Sequence, residues 1–178
     1  MRWLAVILFV TLAACTTKLD KAGRTESTVD PKYLLKSEVD RIADTNRAEV
    51  VNGLLLIADK LYKRNPKEWK KSGAVSREAA VERLRQRTYR NWPEFTGLRE
   101  GAVASLAFTE AYAGDRVMAL MYGLLSMVDA AFEHKEEFYI LDSLNELKLY
   151  NSARNMDVAI WKLGHDRTAA GELFLLSN

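Results

Sequence analysis

From Tyr33 to about Tyr62, apolar side chains recur every three or four residues. Leu34, Leu35, Val39 and Ile42 open the run. Val50, Leu54, Ile57 and Leu61 continue it as a stripe, with Val51, Leu55, Ala58 and Tyr62 beside it. That spacing predicts an amphipathic helix. Asp30 followed by Pro31 suits its start, a cap with proline at the first helical position. Thr45-Asn46 is a candidate break into two helices. Asn65-Pro66 ends the run, because the residue before a proline avoids helical backbone. A shorter helix fits Arg77 to Tyr89, capped by Ser76, with Ala80, Val81 and Leu84 inward and Trp92-Pro93 as terminator.

The second half of the chain changes texture. Leu98 to Tyr112 is rich in small residues (Ala102, Ala104, Ser105, Ala107, Ala111), which let helices approach closely, so this helix is expected to sit centrally with Gly114 as its C-cap. Asp115 caps the next helix. Its apolar residues, from Val117 through Leu120, Leu124 and Val128 to Phe132, wrap the whole circumference, the mark of a buried helix. Ser143-Leu144-Asn145-Glu146 has the form of a capping box. It predicts a last long helix with Leu149, Ala153, Met156, Ile160 and Leu163 on one face, stopped by Gly164. The ending GELFLLSN has two readings, packing on the bundle or the stub of a longer chain. The expectation is an all-α fold: an antiparallel bundle of five or six helices in one domain over residues 31–178.

Composition agrees. Three prolines and nine glycines in 178 residues are few for an all-β or disordered chain. The net charge of +2 conceals a strong asymmetry. Residues 60–90 hold eleven basic and three acidic side chains, whereas residues 91–178 hold seven basic and thirteen acidic. A chain this polar along its length carries a field that selects partners.

The first fifteen residues, MRWLAVILFVTLAAC, form a separate unit. Arg2 precedes a twelve-residue run, Trp3 to Ala14, in which Thr11 is the one polar residue. Spanning a bilayer takes about 20 apolar residues. A charged start, a short apolar middle and small residues at the end make a secretory signal peptide. Leu12-Ala13-Ala14-Cys15 resembles the lipobox of bacterial lipoproteins, and Cys15 is the chain's single cysteine. The resemblance implies that residues 1–14 are removed and that Cys15 carries the lipid, palmitate included. Lipoproteins held in the inner membrane often carry Asp after the cysteine. Thr16 stands there, which implies the periplasmic face of the outer membrane. Residues 15–30, polar and without periodicity, then serve as a lipidated tether. The remainder is similar to small helical envelope lipoproteins of Gram-negative bacteria, a class whose implied role is vague.

Candidate chemistry is sparse. Residues 150–157, YNSARNMD, form the densest polar run inside a helix. Asn151 and Asn155 share a face four residues apart, and Arg154 and Asp157 are spaced to pair. These four either cross-link the bundle or bind a ligand or partner. A basic surface is expected from Lys63, Arg64, Lys67, Lys70, Lys71, Arg83 and Arg87, interleaved with Trp69, Tyr89 and Trp92. In a periplasmic lipoprotein its anionic partners are lipid headgroups or peptidoglycan rather than nucleic acid. His134 and Glu137 have a metal-ligand spacing but no second pair, since His165 lies past the last helix. Glu94, Glu100 and Glu110 are carboxylates that nothing marks as catalytic. Gly-x-Ser-x-Gly, His-Glu-x-x-His and phosphate-loop patterns do not occur. No cofactor or metal is implied.

AYAGDRVMALMYGLL resembles the helix-turn-helix of tetratricopeptide repeats, and LLLIADKLYKRNP the close of one. The two do not share a 34-residue register, so stacked helical hairpins stand as the alternative bundle. The sequence as a whole points to a lipid-anchored, non-catalytic module that binds another envelope protein. A ligand-binding transporter accessory, with its cleft on the last helix, is the competing expectation.

Overall fold

The structure is a computed structural model that describes residues 35–87 and 92–177, the backbone alone for Arg87, and the backbone of residues 17–19 and 25–27. Cys15, the signal segment, Asp30-Pro31 and Tyr89 lie outside the described residues. Among the described residues there are six α-helices: α1 (Glu38–Arg64), α2 (Pro66–Lys71), α3 (Arg77–Arg87), α4 (Glu100–Leu106), α5 (Arg116–Ala131) and α6 (Glu146–His165). The fold is an all-α bundle. Ahead of it, β1 (Thr17–Leu19) pairs antiparallel with β2 (Thr25–Ser27), so that Thr17 lies opposite Ser27.

α5 is the axis. Val117–Leu125, Met127, Val128, Asp129 and Ala131 are buried, and α1, α2, α3, α4 and α6 all pack on it. A stack of hairpins would touch only its sequence neighbours, so this is a bundle around a central helix. The small residues anticipated in α4 do allow close approach. A Cβ placed on Gly123 would lie 2.5 Å from the Ala104 amide nitrogen and 2.6 Å from both the Ala104 Cβ and the Glu100 carbonyl. Trp92, Phe95 and Tyr122 close one side of the core, with ring centroids 5.7 and 5.2 Å from Tyr122.

Several boundaries depart from expectation for identifiable reasons. α1 does not break at Thr45-Asn46. The Thr45 hydroxyl donates to the Arg41 carbonyl one turn back (2.8 Å), and Ala43 and Arg47 bury on either side. The helix begins with a reciprocal box at Ser37: its Oγ accepts from the Asp40 amide, while its own amide donates to the Asp40 carboxylate at 2.7 Å. Pro66 ends α1 but also opens α2, which the apolar pattern did not suggest. α4 stops at Leu106 rather than Tyr112, so Gly114 is not its cap. The Arg116 guanidinium donates to the carbonyls of Ala107 and Thr109, both at 2.9 Å, and takes acceptors a longer helix would need. α6 is capped by Asn145, whose side chain accepts from the Lys148 amide at 3.0 Å; it starts two residues later than the Ser143 box implies. It also runs past Gly164 to His165, with Asp166 as its C-cap. The chain's last residues pack on the bundle. Leu175 is buried, and the Asn65 side chain both donates to and accepts from the Leu176 backbone at 2.9 Å.

Asp115 holds the start of α5. Its carboxylate accepts from the Met118 amide and from the buried Tyr62 hydroxyl, each at 2.9 Å. Burial pushes its carboxyl above the usual range, the same desolvation that raises the Tyr62 phenol. A carboxyl raised in the folded state favours folding most when protonated. Its contribution is complete below the ordinary value near 4 and is lost as pH rises through the folded pKa. Asp115→Asn keeps a capping side chain and removes the charge. Urea unfolding of both proteins between pH 7 and pH 4 is expected to show wild type gaining stability relative to the variant as the pH falls.

Candidate functional site

α6 lies over α5 and leaves a depression on each flank. One is a polar cleft of about 290 Å³ between α6, the end of α5 and the start of α4. Lys148, Asn151, Ser152 and Asn155 line it from α6, with Glu100 and His134 opposite. The i, i+4 spacing anticipated for Asn151 and Asn155 therefore holds, and both amides stand at one opening. Arg154 and Asp157 do not join them. They are exposed on the outer side of α6, and no ion pair links them.

The residues opposite were not anticipated as a group. His134 sits beyond the end of α5, not on a helix, so the pairing with Glu137 that a helical spacing would have allowed does not form. α5 ends in a Schellman turn: the His134 amide donates to the Asp129 carbonyl at 2.8 Å and the Glu133 amide to Ala130 at 3.1 Å. Glu133 (φ 55°) and His134 (φ 59°) both adopt the left-handed conformation, usually left to glycine or asparagine. The turn puts His134 Nδ1 2.6 Å from the buried Asp129 carboxylate, with Arg47 3.7 Å from its other oxygen. Asp129 thus fixes the imidazole while the ring stays exposed at the cleft. Glu100, also left-handed (φ 50°), begins α4, and its amide donates to Ser126 Oγ at 3.2 Å. Two of these left-handed non-glycine residues, Glu100 and His134, line the one depression. Glu137 instead accepts from Tyr139 and meets Lys36 at 3.4 Å. Among the described residues, no cluster of three His, Cys, Asp or Glu side chains could hold a metal ion.

The other depression is an apolar groove of about 310 Å³ between α1 and α6. Val128, Ala131 and Phe132 form its floor. Asn46 and Val50 stand on the α1 side, Leu149, Ala153 and Met156 on the α6 side. Of the residues expected on one face of α6, Leu149, Ala153 and Met156 form this wall, and Leu149, Met156 and Leu163 also pack half-buried against the core. The residues α6 buries are Ser152 and Ala159, and Ile160 remains largely exposed. A helix resting on small residues sits close to its neighbour and leaves its larger side chains at the edge. On α1 the stripe continues through exposed Gly53 to Ile57. No atom lies within 4 Å of a Cβ built on Gly53, so nothing inside the domain requires a glycine there.

The basic surface divides in two. Lys63, Arg64, Lys67 and Lys70 are exposed around the end of α1 and along α2, with Lys70 5.5 Å from the half-buried Trp69 ring. Lys71 and Arg83 are partnered within the fold. Lys71 pairs with Glu68 at 2.7 Å. Arg83 donates to the Ser72 carbonyl at 2.8 Å and lies over the Trp92 ring. Of the other carboxylates considered, Glu94 meets Arg83 at 3.6 Å and Glu110 accepts from the Ala169 amide at 3.3 Å. The carboxyl raised by burial, Asp115, lies inside the bundle rather than in the cleft. Among the described residues, no helix is long and apolar enough to cross a membrane. No protein family, curated protein or solved structure matches the chain.

Proposed function

We propose that this protein is a lipid-anchored bacterial lipoprotein of the periplasmic face of the outer membrane. In this reading it acts as a non-catalytic module that binds another envelope protein. The α1–α6 groove carries the reading. Its walls are mainly apolar and open, and next along α1 beyond Val50 stands an exposed helix-interior glycine, Gly53. Gly in such a position costs about 0.5–1 kcal/mol relative to Ala, and its use is close approach by something outside the domain. A groove between two helices, with apolar positions along both walls, suits an amphipathic helix of a partner.

A photocrosslinking residue placed at Val50 or Ala153 of the anchored chain in cells tests this. Adducts with peptides of one envelope protein are expected at both positions and not at Val75, which is outside the groove. Adducts containing only lipid or glycan would overturn it. The polar cleft favours a second reading, a ligand-binding accessory of a transporter. Asn151, Asn155, Lys148, Glu100 and the Asp129-held His134 present donors and acceptors suited to a small hydroxyl- or carboxylate-bearing ligand.

A further inference from the structure

The first turns of α1 and the turn after Phe138 meet at one end of the domain. The Ile140 amide donates to the Leu35 carbonyl at 3.0 Å, the Phe138 amide donates to Asp44 at 2.8 Å, and Lys36 lies 5.0 Å from the Tyr139 ring centroid. This end exposes five large apolar side chains: Leu35 (56%), Val39 (70%), Ile42 (54%), Ile140 (64%) and Leu141 (95%). Among the described residues, none covers them. We infer that this end rests on the lipid surface bearing the anchor, with α1 carrying the rest of the domain away from it.

The inference depends on acylation of Cys15. Chain length and charge then point to lipid as the occupant. β1 and β2 fold the chain back on itself, Thr17 opposite Ser27. Fully extended, the remaining residues between Cys15 and Leu35 reach at most about 40 Å. The tether joins the domain at the apolar end, so that end is held nearest the bilayer. The same end holds three basic and six acidic residues within 35–44 and 135–142. Lys36 pairs with Asp44 at 2.6 Å, Arg41 with Glu38 at 3.2 Å, and Lys135 with Asp142. That balance disfavours an anionic surface and suits zwitterionic headgroups, with apolar side chains entering the interface. Lys63 and Arg64 end α1, about 40 Å further along at 1.5 Å per helical residue, turned away from this lipid and toward the periplasm.

The test uses the full acylated chain in phosphatidylcholine vesicles. Acylation blocks Cys15, so Leu141→Cys and Val75→Cys each supply the single free thiol for a nitroxide label. Both positions are almost fully exposed, so neither substitution disturbs the fold. The label at 141 is expected to collide several-fold more often with oxygen than with a water-soluble relaxant, and the label at 75 to do the reverse. Aqueous behaviour at both positions, with the chain floating with the vesicles, would overturn the orientation and leave the anchor standing. A second label on Cys15, or failure to float, would remove the anchor and the orientation together.

Discussion

Gly123→Val is expected to unfold the domain or bring it to the edge of unfolding. The first atom of any side chain there would meet backbone: the Ala104 amide nitrogen at 2.5 Å and the Glu100 carbonyl at 2.6 Å. Real Cβ contacts do not occur at such distances, and no rotamer change relieves a clash with main chain. α4 would have to leave α5, exposing Val103, Ala104 and Ala107, all now buried. Overpacking a core costs typically about 1–3 kcal/mol when side chains can yield. Here they cannot, and a whole domain holds only about 5–15 kcal/mol. Circular dichroism through a urea titration reads the result. Gly53→Ala is the control on the opposite expectation. It meets open space on α1, so it should stabilise by about 0.5–1 kcal/mol through helix propensity alone. Similar urea midpoints for the two variants would mean that α4 and α5 are not in the contact described.

The contrast between the two glycines shows what the chain discloses before folding. Period and circumference were legible: the apolar wrap of 117–132 announced a buried helix, and α5 is one. Small residues at 102, 104 and 107 announced close packing, and Ala104 meets Gly123. Boundaries were less legible because side chains remote in sequence decide them. Arg116 ends α4 by taking carbonyls, which no local pattern encodes. Thr45 looks like a breaker until its hydroxyl bonds back within the helix. The α6 stripe was legible as a group, but the degree to which each member is buried was not. Ser152 and Ala159 are small enough to approach α5, Leu149 and Met156 stand at the groove, and Ile160 is left exposed. At the cleft, the spacing of Asn151 and Asn155 could be read directly. The Asp129–His134 contact could not, because it depends on a Schellman turn built without glycine, and the sequence gives that turn no mark.

Cys15→Ser is expected to abolish palmitate labelling and remove the chain from the outer-membrane fraction. Each buried methylene contributes about 0.8 kcal/mol. One fourteen-carbon chain binds a bilayer at only about 10⁴ M⁻¹, and two or more make attachment firm. A serine hydroxyl does not replace the thiol in lipoprotein acylation, so the variant loses all of this. It also keeps residues 1–14, because in the lipoprotein class removal follows acylation. Trp3–Ala14 is too short to span a bilayer, so what the uncut segment retains is contact with the inner membrane where export begins. Fractionation, palmitate incorporation and the intact mass of the N-terminal peptide separate these states. Palmitate absent from wild type, or equal outer-membrane retention of both chains, would detach the domain from its proposed location. The α1–α6 groove would remain an apolar surface awaiting a helix, but nothing would then restrict the choice of partner to the envelope.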